Sequence, residues 1–187
     1  MRFEKVSFEQ FEYDMRNKFI LKTPDLIGCD MNYTTPYEDM DSDRIREIYD
    51  AIELPTRSTI GSAGYDFSFP VKLTLKKGSV LQLPTGIKWD SGDLKDRRYL
   101  SIYPRSSLGS KYFLREPNLV SIIDSDYYNC EKNEGHIFVN LGIEGTYKEL
   151  EIKAGQGYAQ GIISRYEVTD DDAVSTIRKG GFGSTNR

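Results

Sequence analysis

Ser79-Val80-Leu81-Gln82-Leu83-Pro84-Thr85-Gly86-Ile87-Lys88-Trp89-Asp90-Ser91-Gly92 decides the fold class. Its two apolar runs, Ser79–Leu83 and Gly86–Trp89, have the length of strands and fall short of helices. Pro84-Thr85-Gly86 separates them and Asp90-Ser91-Gly92 ends the second, both with turn chemistry. The same grammar continues on either side. Tyr65–Phe69 and Lys72–Leu75 precede this stretch, and Tyr99–Tyr103, Leu119–Ile123, His136–Leu141, Glu149–Ile152 and Tyr158–Arg165 follow it. Lys77-Gly78 and Gly155-Gln156-Gly157 add further turns. Many short strands at close spacing predict an all-β sandwich, barrel or jelly roll rather than alternating strands and helices.

Upstream of Leu54-Pro55 the apolar period becomes helical. Phe8, Phe11, Met15 and Phe19 share one helix face, and Ile45, Ile48, Tyr49 and Ile52 form a second stripe after the helix-start residues Asp41-Ser42-Asp43. Thr23–Met40, rich in Pro, Gly, Asn, Asp and Thr, predicts a loop between them. The first stripe carries too much apolar side chain to stand in water, so it is expected to dock on the β core or on a neighbouring chain.

The 187 residues suit one domain, 1–187. Lys and Arg number 25 against 29 Asp and Glu, a net charge of −4 with no basic block, which argues against gripping nucleic acid through its phosphates. Cys29 and Cys130 lie far apart, pointing to a reducing, cytoplasmic setting rather than a disulfide framework. A single histidine, His136, nearly excludes a His/Cys zinc site, and any Ser-His-Asp arrangement would have to use it. MRFEKVSFEQFEYD has no signal-like apolar core, and no run of 18 apolar residues follows, so neither secretion nor a membrane span is expected.

Five segments carry chemistry beyond what strands need. Ser62-Ala63-Gly64-Tyr65-Asp66-Phe67 ends a small-residue turn in a carboxylate, and Pro104-Arg105-Ser106-Ser107-Leu108-Gly109 ends a strand in a guanidinium and two hydroxyls suited to phosphate oxygens. Ile122-Ile123-Asp124-Ser125-Asp126-Tyr127-Tyr128 follows an apolar strand with two carboxylates and two aromatics. Tyr158-Ala159-Gln160-Gly161 sets an amide in an apolar strand, and Arg178-Lys179-Gly180-Gly181-Phe182-Gly183-Ser184-Thr185 is a basic, glycine-rich tail. Taken singly, each reads as a turn, a solvated strand end, a core amide or a disordered end.

Their joint order resembles the trimeric deoxyuridine triphosphate nucleotidohydrolases, the dUTPases. The five motifs match Ser62–Phe67, Pro104–Gly109, Ser121–Asn129, Gly155–Ile163 and Arg178–Thr185, so the likeness covers about residues 54–187, with Met1–Ser7 matching the family's first strand. The resemblance implies a homotrimeric β jelly roll that hydrolyses dUTP to dUMP and pyrophosphate with Mg2+. It implies Asp124 as the base for the attacking water and Tyr127 against the deoxyribose. The Ser121–Asn140 hairpin would read uracil through its backbone, with Asn118, Ile122, Ile123 and Gly135 near the substrate. Arg105, Ser106, Ser107 and Gln160 would hold phosphate oxygens. Arg178, Gly183 and Ser184 would close over the outer phosphates from a mobile arm, 178–187, with Phe182 stacked on uracil. Magnesium would be held mainly by phosphates and water, with Asp66 acting through water at most.

Departures from that pattern are visible. Ser121 stands where the family has Gly and is expected to crowd the uracil edge, and Cys130-Glu131-Lys132-Asn133-Glu134 lengthens the hairpin before Gly135. Gly157 occupies a position often held by Arg or Lys, and Arg178 lies one residue nearer Gly180-Gly181 than in many members. The family has no role for the helical insertion, about Phe8–Glu47, which is expected to bear on stability more than on chemistry. Two competitors share the fold. A dCTP deaminase, alone or bifunctional with dUTP hydrolysis, needs a glutamate where this chain has Asn140, and an amide cannot shuttle protons. A catalytically idle, nucleotide-binding regulatory relative would not need Asp124, Tyr127 and Phe182 together.

Overall fold

The structure is a computed structural model that describes residues 1–24, 31–176 and 178. Strands dominate it. In chain order they are β1 (Arg2–Lys5), β2 (Ile20–Pro24), β3 (Met31–Thr34), β4 (Gly64–Ser68), β5 (Leu73–Lys76), β6 (Val80–Pro84) and β7 (Ile87–Asp90). Then follow β8 (Arg98–Pro104), β9 (Leu114–Arg115), β10 (Ser121–Asp124), β11 (Phe138–Ile143), β12 (Glu149–Ile152) and β13 (Gly157–Arg165). The helices are α1 (Phe8–Lys18), α2 (Ser42–Asp50) and α3 (Ser106–Tyr112). Two larger sheets run β10-β8-β13-β4 and β3-β2-β6-β11-β9, and β1-β7 and β12-β5 form two-stranded ribbons. Every pairing in them is antiparallel. Leu100, Ile102 and Phe67 from the first sheet and Leu81, Leu83, Val139 and Leu141 from the second belong to one buried apolar cluster. No helix among the described residues is long and apolar enough to cross a membrane.

Each strand read from the sequence is present, with ends shifted by a residue or two. The opening stretch forms β6 and β7, and the Pro84-Thr85-Gly86 turn between them sends β6 into the five-stranded sheet and β7 to pair with β1. Gly86 is required there. Its φ is +75°, and a Cβ would lie 2.3 Å from Ile52 Cδ1, on the helix side of the core.

The segment before Leu54 contains more than helices. The stripe docks as expected: Phe11 and Met15 are fully buried and Phe19 nearly so. Ser7 caps α1 by accepting from the Gln10 N–H at 3.2 Å, and Asp41 caps α2 by accepting from the Asp43 N–H at 2.7 Å. The predicted Thr23–Met40 loop is corrected. Thr23 and Pro24 complete β2 and Met31–Thr34 forms β3, and the pair extends the five-stranded sheet through Ile20–Lys22 paired with Val80–Gln82. Turn-rich composition concealed β3 because an edge strand buries little and needs no apolar alternation.

Candidate active site

Strand β8 organises the chemistry, because the motif residues gather at its two ends. At the C-terminal end Arg105 follows Pro104, and β13 sets Gln160 beside Tyr103 on one side and Asp66 of β4 on the other. Arg105 Nη1 lies 3.1 Å from Asp66 Oδ2, which also accepts from the Ser58 hydroxyl at 2.8 Å. Two glycines make this cluster possible. A Cβ at Gly64 would approach Gln160 Oε1 to 2.7 Å, and one at Gly157 would approach Arg105 Nη1 to 2.8 Å. Ser106 and Ser107 are exposed in the first turn of α3. The sequence reading missed this helix, because Leu108 is its only buried residue and one residue makes no stripe.

The other end of β8 carries the second group. Tyr99 pairs with Asp124, the last residue of β10, and a single 3-10 turn, Ser125–Tyr127, follows. Asp124 is partly exposed and accepts from the Arg178 guanidinium, while Asp126 accepts from the Arg178 N–H at 2.9 Å. Tyr127 is buried. Its hydroxyl donates to the His136 carbonyl at 2.9 Å and accepts from Asn133 Nδ2 at 2.7 Å, and burial pushes its pKa up to about 12. Gly135, at φ +77°, closes the hairpin, and a Cβ there would lie 2.4 Å from the Tyr127 carbonyl oxygen. Only glycine lets the two arms approach so closely.

Around this group Ile123 is buried and Ile122 is 49% exposed on the opposite face of β10. Asn118 is exposed and donates to the Val120 carbonyl at 3.2 Å. Ser121 opens β10. Its side chain is buried and its hydroxyl donates to Glu116, whose carboxyl burial drives up to about 7 against the opposing effect of that bond. Phe182, Gly183 and Ser184 lie outside the described residues.

Asp124 and Arg105 are thus at opposite ends of one strand. From Tyr99 to Arg105 is six residues, about 20 Å of extended chain. A single phosphate group does not bridge that span within one chain. His136, the one histidine, is committed elsewhere: its Nε2 accepts from the Gly86 N–H at 2.7 Å, which leaves no base for a serine. The described residues contain no group of three or more His, Cys, Asp and Glu able to hold a metal. Asp66 offers one partly exposed carboxylate, a donor set that fits Mg2+ carried mainly by phosphates and water.

Comparison with known proteins places these residues in one family. The dUTPase family model matches residues 50–186. The deoxyuridine 5'-triphosphate nucleotidohydrolase of Lactococcus lactis is 38% identical over 136 residues, covering 72% of this chain and 88% of that protein. Its counterpart from Burkholderia multivorans is 37% identical over 142 residues, with coverages of 72% and 89%. Among solved structures, the Streptococcus mutans dUTPase superposes with a TM-score of 0.54 at 33% identity, over 63% of this chain and 88% of that one. A dUTPase from phage phi11 of S. aureus, described with a structural Mg(II) ion, shares the fold at a TM-score of 0.51 and 17% identity. The motifs at the two ends of β8 lie inside the matched stretch, and the chain belongs to the dUTPase family.

Proposed function

We propose that this chain hydrolyses dUTP to dUMP and pyrophosphate, the activity for which its relatives are named. The observation that carries the reading is Asp124 at the end of β10, one turn from the buried Tyr127, within the stretch matched by the dUTPase model. Asp124 takes a proton from a water whose oxygen attacks the α-phosphorus. The bond from that phosphorus to the bridging oxygen breaks, and pyrophosphate leaves with the electron pair. Tyr127 lies flat against the deoxyribose and leaves no room for a 2′-hydroxyl. The backbone of the Ser121–Asn140 hairpin reads uracil, near Asn118, Ile122, Ile123 and Gly135. Arg105, Ser106, Ser107 and Gln160 hold phosphate oxygens.

The separation of the two groups along β8 supports a homotrimer in which different subunits supply the base and the phosphate ligands to each site. Arg178, Phe182, Gly183 and Ser184 close it, and the triphosphate competes for the Arg178 guanidinium that pairs with Asp124 in the free chain. Mg2+, when bound, neutralises phosphate charge and fixes the reacting geometry, with Asp66 reaching it through water. The free, buried thiol of Cys130 supports a reducing, cytoplasmic setting. Pyrophosphate release measured across the deoxynucleoside triphosphates tests this reading. Release confined to dUTP is expected; release from none, or equally from dCTP and dTTP, overturns it.

A further inference from the structure

The inserted helix α1 places a carboxylate in the interior that the catalytic reading leaves without a role. Asp14 is fully buried, and its Oδ2 lies 2.6 Å from His136 Nδ1. Gln10 Nε2 donates to the same oxygen at 2.7 Å, and Lys18 Nζ stands 3.2 Å from Oδ1. On the far side of the ring, Nε2 accepts from the Gly86 N–H at 2.7 Å. An imidazole nitrogen that accepts carries no proton, so the single ring proton sits on Nδ1 and donates to Asp14. Protonating Nε2 would set two N–H groups against each other. Burial lowers the His136 pKa, in agreement with a neutral ring.

The backbone of the same histidine reaches the sugar pocket. Its carbonyl accepts from the Tyr127 hydroxyl at 2.9 Å, and that hydroxyl also accepts from Asn133 at 2.7 Å. A second tie runs from the start of α1, where the Ser7 N–H donates to Glu134 at 2.9 Å, next to Gly135.

We propose that Asp14 and His136 are positioning residues for substrate specificity: Asp14 fixes the His136 tautomer, the pinned ring holds the His136 carbonyl, and that carbonyl sets the tilt of Tyr127 against the sugar. This rests on the reading of Tyr127 as the wall that excludes a 2′-hydroxyl. A ring free to tilt yields room at C2′, so loss of the pair admits ribonucleotide before it abolishes turnover. The insertion then tunes discrimination between dUTP and UTP, beyond the stabilising role expected of its apolar stripe.

Nitrogen-15 NMR of the full chain reads the first step directly, since His136 is its only histidine. The Nδ1–H neutral tautomer is expected at pH 7, and Nε2–H or an imidazolium overturns the proposal. The second step is read as the ratio of kcat/KM for dUTP over UTP. Asp14→Ala is expected to lower that ratio about tenfold or more, whereas Asp14→Asn, which keeps an acceptor for Nδ1–H, holds it within about threefold. Tyr127→Phe, which keeps the ring but removes the hydroxyl with its bonds to the His136 carbonyl and Asn133, lowers the ratio as Asp14→Ala does and serves if Asp14→Ala fails to fold. An unchanged ratio in Asp14→Ala, or in Tyr127→Phe, overturns the proposal. Tyr127→Ala separates the two readings. If it too leaves the ratio unchanged, the sugar-wall reading has failed; if it alone lowers the ratio, only the Asp14–His136 inference has.

Discussion

Gly157 leaves the volume that Arg105 fills, and the two positions are best read together. A Cβ at 157 would sit 2.8 Å from Arg105 Nη1 and 3.0 Å from its Cδ. A long cation there and the Arg105–Asp66 pair therefore compete for one space. Ser121 and Glu116 form a second coupled pair, with the hydroxyl donating to a carboxyl whose other oxygen has no partner among the described residues. The folded-state pKa of Glu116, about 7, lies above its ordinary 4.5, so the folded chain binds more protons than the unfolded chain between those values. Stability consequently falls as pH rises through that window, by about 3 kcal/mol at most. Glu116→Gln is expected to be more stable than the parent in urea at pH 8, with the gain gone by pH 4.5. A gain that persists at pH 4.5 refutes the assignment. Asp124→Asn tests the chemistry: it keeps the shape but removes the base, and turnover should fall by ~10²- to 10⁴-fold while calorimetry still registers dUTP binding. Near-parental turnover would mean that another group activates the water.

At the scale of elements, the hairpin from Asp124 to Gly135 is held from both sides of its turn. Asn129 N–H donates to the Glu134 carbonyl at 3.1 Å, Lys88 Nζ reaches Asn129 Oδ1 at 2.7 Å, and Ser7 at the head of α1 bonds Glu134. The residues Cys130 to Glu134 accordingly belong to a bonded turn, with the Cys130 thiol donating to Asn133 Oδ1 at 2.9 Å. The proposed function gives the segment that begins at Arg178 a different part. Ending the chain after Ile177 removes the guanidinium from Asp124 together with Phe182, Gly183 and Ser184. The truncated protein should melt within a few degrees of the parent yet turn over dUTP far more slowly, because the contacts proposed for these residues would matter most as charge moves onto the leaving pyrophosphate. Parental turnover after truncation would remove the tail from the site.

For the whole molecule, the arrangement of β8 makes a prediction about assembly. With Asp124 beside one end of β8 and Arg105 past the other, about 20 Å along that strand, the proposed function needs groups from more than one chain. Sedimentation is expected to give a trimer that carries all the activity. A fully active monomer would overturn both the assembly and the division of the site. Exposed apolar side chains such as Ile122, Phe113 and Leu119 on the single chain accord with further burial between subunits.

The strand pattern, the two helical stripes and the order of the five motifs were legible in the chain because each depends on neighbours a few residues apart. The motifs that hold Asp66, Arg105, Gln160, Asp124 and Tyr127 could be picked out as candidates for the same reason: they are short and continuous. What lay beyond reach was every feature built by distant pairing. The β2–β3 hairpin takes its place by joining β6 some 60 residues later, and it has no apolar period of its own. Arg178 meets Asp124 across 54 residues, and Asp14 meets His136 across 122. Nothing in the spacing of Asp14 sets it apart from any other acid on a helix; burial against the one imidazole does. Local chemistry thus determined the strands, the motifs and the family. Tertiary structure alone decided how those motifs are shared between the ends of β8, and which buried groups hold them in place.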